Sequence, residues 1–107
     1  MGWERFEAGR TVGGPGPLGG VVHYDEWHPG GARLTLELAN RYAVATATVA
    51  LFGRAEAVRH FVDLGPAEAW CHKVRAALGP ALDEQPQAGG AAVSEHLSSA
   101  LDLLAAD

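Results

Sequence analysis

The chain has 107 residues, a net charge of −5 with histidine neutral, 48% apolar and 20% charged residues. A single domain of that size can bury a core without metal or disulfide help. The acidic balance, with seven Arg and one Lys scattered along the chain, argues against a nucleic-acid partner, whose affinity comes from neutralised phosphates. The lone Cys71 excludes an internal disulfide and a multi-cysteine metal centre.

Residues 1–20 read as a flexible N-terminal arm, and residues 21–107 as one α+β domain. The stretch 9–20, GRTVGGPGPLGG, holds six Gly and two Pro in twelve positions, which makes regular structure costly in entropy. Pro15 and Pro17 remove amide donors that a phosphate nest would need, and no Walker or dinucleotide fingerprint is present. Ahead of it, Trp3 and Phe6 are two large apolar groups that could dock on the domain or stay exposed. The start, MGWERFEAGR, has no apolar segment of a secretory signal, and no run is long enough to span a bilayer. A soluble, cytoplasmic protein is expected, and the Arg and Ala bias looks like that of a GC-rich, bacterial genome.

Residues 21–27 are β-rich and end at His28-Pro29-Gly30-Gly31, which supplies the backbone angles of a tight reversal. From Ala32 to Leu38 the chain alternates, with Ala32, Leu34, Leu36 and Leu38 on one face and Arg33, Thr35 and Glu37 on the other. That pattern marks a half-buried antiparallel strand. Residues 42–52, YAVATATVALF, carry no charge, Gly or Pro and are small or apolar on both faces, the mark of a central strand. Residues 55–64 fit either a strand with Val58, His60, Val62 and Leu64 on one face or a helix. The strand is favoured by its length and by the Gly53 turn that continues a meander.

Residues 66–78 place Ala67, Trp70, Cys71, Val74, Ala77 and Leu78 on one helical stripe, with Pro66 at the first position and Gly79-Pro80 as a stop. A second helix is predicted over 91–105, with Val93, Leu97, Ala100, Leu101 and Leu104 on its inner face. The expected fold is thus an antiparallel meander of three or four strands followed by two helices packed on it. If the Trp70 helix lies over Ala43, Ala45 and Ala47, then Tyr42, Val44 and Phe52 form an apolar surface needing a second cover, and a homodimer is expected.

The five histidines have no HExxH or comparable spacing, so neither a metal nor a cofactor is expected. His23 and Asp25 would point the same way on a strand, and His60 would share an apolar face, so these three residues are the candidate ligand-binding set. Each also has a structural reading, as a surface polar group or a core imidazole bound to a carbonyl. Cys71, on an apolar stripe, reads as an inert core thiol. The composition therefore favours a protein that acts by binding, through self-association or a protein partner. The rival is a small enzyme or ligand-binding domain with a pocket between sheet and helix built on His23, Asp25 and His60.

Overall fold

The computed structural model describes residues 2–51, 55–83 and 100–104. Four strands, β2 (Val21–His28), β3 (Ala32–Leu38), β4 (Ala45–Leu51) and β5 (Ala55–Phe61), form an antiparallel meander. A two-residue strand, β1 (Glu4–Arg5), pairs with the outer side of β2, so the sheet has five strands in the order β1-β2-β3-β4-β5. The extra strand comes from residues expected to form a flexible arm. One long helix, α1 (Leu64–Asp83), packs on β3, β4 and β5, and residues 100–104 are also helical. The rest of the second predicted helix lies outside the described residues.

Alternation along β3 sorts the molecule into two layers. Ala32, Leu34 and Leu36 point toward α1 and are fully buried, together with Ala45, Ala47, Val49 and Leu51 of β4. From the helix come Ala67, Trp70, Cys71, Val74, Leu78 and Leu82, the stripe read from residues 66–78 prolonged by one turn but without Ala77, which is exposed. Small residues on β4 leave room for the Trp70 ring. Its indole N–H donates to the Leu104 carbonyl at 3.1 Å, and Arg59 of β5 reaches the same oxygen at 3.3 Å. These two bonds tie the 100–104 turn to α1 and β5, with Leu101 and Leu104 in the core.

Three boundaries differ from expectation. Strand β4 starts at Ala45, because residues 39–44 form a loop in which Ala39 adopts φ 59° and donates its N–H to the Val44 carbonyl at 2.9 Å. Tyr42 and Val44 therefore leave the sheet, and Phe52 lies outside the described residues. Residues 55–61 are strand, but Ala57 and Phe61 pack toward the core while Val58 and His60 face away, and Leu64 already belongs to α1. The apolar alternation of Val58, Val62 and Leu64 had suggested the opposite face. Finally, α1 begins two residues before Pro66 and runs through Gly79-Pro80 to Asp83. Pro80 falls in the last turn, where it takes away the one amide that would bond the Ala76 carbonyl. Gly79 is buried below the Trp3 indole, where a Cβ would make only an ordinary contact at 3.6 Å.

Trp70→Phe keeps an aromatic ring in the core, one smaller than the indole, and loses the bond to Leu104. It should lower unfolding stability by about 1–2 kcal/mol in urea titrations, with faster amide exchange in residues 100–104.

Candidate functional site

The far face of the sheet, opposite α1, is polar and still buried. Asp25, Thr35, Glu37, Thr46 and Thr48 are all at most 8% exposed. Asp25 holds Arg33 through two oxygens at 3.0 and 2.6 Å and accepts from the Thr35 hydroxyl at 3.1 Å. That paired geometry is a strong form of ion pair, and the bond to Asp25 pushes the Arg33 pKa up. Phe6 stacks on the Arg33 guanidinium at 3.7 Å, so one of the two N-terminal aromatics docks on the domain. The other, Trp3, packs edge-on against His28 at 5.6 Å.

Glu37 is fully buried and is the anchor of residues 10–20. Its Oε2 accepts from the Leu18 amide at 3.0 Å, and its Oε1 accepts from the Gly20 amide at 3.0 Å and from Asn40 Nδ2 at 3.1 Å. The glycines here serve close approach. A Cβ at Gly16 would lie 2.8 Å from the Glu37 side chain, and one at Gly20 would lie 2.4 Å from the Leu38 carbonyl. The Gly/Pro stretch thus lies as a strap on a buried carboxylate.

From Glu37 the network continues into the loop that carries Tyr42 and Val44. Asn40 Nδ2 donates to Glu37 and, at 2.8 Å, to Thr46 Oγ1, while Asn40 Oδ1 accepts from the Tyr42 and Ala43 amides at 2.8 and 2.9 Å. Both donors and both lone pairs of this one side chain are used. Thr46 Oγ1 lies 2.8 Å from His60 Nδ1. Since Thr46 already accepts from Asn40, the arrangement that satisfies every group has its hydroxyl donate to Nδ1 and puts the imidazole proton on Nε2. The Tyr42 ring stacks on His60 with centroids 5.7 Å apart.

The three candidate ligand residues are not brought together. A register shift between Val22 and Tyr24 lets His23 reach Glu68 of α1 at 3.6 Å, whereas Asp25 is engaged by Arg33 and Thr35 on the far face. Both border a cleft of about 500 Å³ between the outer side of β2 and the turn Phe6–Gly9, lined also by Arg5 and Arg75. His60 is exposed at the other edge of the sheet. Between sheet and helix, the Tyr24 hydroxyl abuts the Cys71 thiol without a hydrogen bond of ordinary geometry. Burial pushes both groups above their usual pKa values. No group of three His, Cys, Asp or Glu able to hold a metal occurs among the described residues.

The surface residues have a clearer grouping. Tyr42 is 61% exposed, Val44 55%, Val58 42% and Val62 83%. Tyr42, Val44 and Val62 line one cleft of about 310 Å³ with Ala43, His60 and Phe61. Asn40, which holds this cluster in place, has no sequence signal beyond a turn-forming residue after a strand. No family model, curated protein or solved structure matches the chain. No described helix is long and apolar enough to cross a membrane.

Asn40→Asp is isosteric but sets a second carboxylate against Glu37. It should cost roughly 2–4 kcal/mol near neutral pH, and the gap from wild type should narrow as pH falls and the new carboxyl protonates, as read by urea unfolding. Cys71 should react with a thiol reagent at pH 8 only after unfolding. Because its folded pKa is raised, its contribution to stability is complete below the unfolded thiol value of about 8.5 and is lost as pH climbs toward the folded value.

Proposed function

We propose that this protein acts by self-association, as a homodimer joined at the β4–β5 end of its sheet. The carrying observation is the apolar group of Tyr42, Val44, Val58 and Val62, held outward beside His60. An isolated exposed Val or Tyr needs no explanation, but Tyr42, Val44 and Val62 grouped around one strand end, with Val58 exposed farther along β5, mark a contact surface. The support beneath Tyr42 is rigid: Asn40 fixes its amide directly, and Thr46 fixes the His60 ring on which it stacks. A surface built in that way loses little conformational freedom on docking.

Sedimentation equilibrium over a wide concentration range should show a monomer–dimer equilibrium. Tyr42→Asp and Val62→Asp, both at exposed positions, should shift it to monomer with the melting temperature of the monomeric unit nearly unchanged. A wild-type chain that stays monomeric at every concentration would sink the proposal.

A further inference from the structure

The two edges of the sheet are treated differently. The outer side of β2 is stitched by its own chain at both ends. Glu4 and Arg5 pair with Trp27 and Glu26, Gly13 N–H donates to the Val22 carbonyl at 2.9 Å, and Val22 N–H donates to Gly14 at 2.9 Å. At the other edge, β5 is the last strand in the order, and none of the described residues adds a strand to its outer side. Edge strands usually carry a guard against pairing, such as Pro, an outward Lys or a bulge. In β5, AEAVRHF, there is no Pro, Gly or Lys, and its pairing with β4 is regular over all seven residues. The single cation, Arg59, is drawn onto the helix side by the Leu104 carbonyl and the rings of Phe61 and Trp70.

We propose that this edge takes a second copy of the chain, with the two β5 strands antiparallel about a two-fold axis at Val58. This rests on the self-association proposed above and specifies its geometry. Opposite residues then match in charge and size. Glu56 of each copy faces His60 of the other, Val58 faces Val58, and the small Ala55 and Ala57 face the large Phe61 and Arg59. All seven residues of the strand are used. Other registers do worse: an axis at Glu56 or at Arg59 sets like charges opposite each other, which destabilises a ladder, and an axis at Ala57 sets the Glu56 carboxylate opposite Val58 and loses its pairing with His60. His60 suits its role, since Thr46 occupies Nδ1 and leaves the Nε2–H free to donate to a carboxylate. The half-exposed Val58 is covered at the axis, and Tyr42 and Val62 lie beside the same strand end.

The register is tested with Val58→Cys. Directly opposite residues in an antiparallel pair have Cα atoms about 4.5–5.5 Å apart, within the span of a disulfide. Mild oxidation should therefore give a covalent dimer on a non-reducing gel. Val12→Cys, exposed on the side of β2, should not crosslink, and the native Cys71 is buried. Glu56→Lys and His60→Glu should each raise the dimer Kd roughly tenfold, while the double variant should restore it toward wild type. A wild-type dimer that neither crosslinks through residue 58 nor is rescued by the double variant would overturn this register while leaving self-association standing. A wild-type monomer at all concentrations would overturn both readings. Slow exchange of the β5 amides in such a monomer would show that the edge is already protected without a second copy.

Discussion

Glu37 can be buried because three donors converge on it, and much of the far face depends on that convergence. Its carboxylate collects the amides of Leu18 and Gly20 and the side chain of Asn40, so a charge that would be expensive in an apolar interior is dispersed over short bonds. The same bonds do two further jobs. They pin a Gly- and Pro-rich segment whose entropy opposes ordering, and they orient the Asn40 amide that shapes the loop after β3. From there Thr46, His60 and Tyr42 follow in sequence, so a buried carboxylate near the strap and an exposed ring at the opposite edge belong to one chain of contacts.

The two faces of the sheet are consequently held by different physics. Toward α1 the contacts are apolar, and stability there comes from burial of Leu34, Leu36, Val49, Leu51 and the helix stripe. Tyr24 and Cys71 sit in that layer as neutral groups, and their raised pKa values are the signature of it. On the far face almost every buried side chain is polar, so geometry matters more than area. A half-satisfied polar network is worse than an apolar one, which explains why a single amide carries four hydrogen bonds here.

The apolar layer was the part most legible in the sequence. Clean alternation in β3 and the stripe from Ala67 to Leu78 are periodic signals that need no tertiary information. The meander order followed from the turns at Pro29-Gly30 and Gly53. What could not be read was anything decided by one distant polar contact. Gly/Pro composition in residues 9–20 speaks for chain entropy and is silent about a carboxylate waiting for their amides. The apolar run 42–52 was read as one strand because nothing local reveals that Asn40 captures the Tyr42 and Ala43 amides and turns them out of the ladder. Strict alternation puts His23 and Asp25 on one face, whereas the register shift turns His23 toward Glu68 of α1 and leaves Asp25 on Arg33 and Thr35, although both still border one cleft. Tyr42 and Val44 were singled out as surface apolar residues and are exposed, although in a loop at the end of the sheet and not on its far side.

A strand ladder with two open ends can add copies without limit, which is the geometry of fibres. Here the outer side of β2 is taken at both ends by the chain itself, since Glu4 and Arg5 pair with Trp27 and Glu26 while Gly13 and Gly14 bond Val22, which blocks a further full-length strand. In the proposed dimer, growth from the remaining edge would close on itself after one addition, because a two-fold contact consumes the same surface on both copies. The strap would then serve as a chain terminator for assembly, and losing it would expose a second edge from which an open-ended polymer could grow.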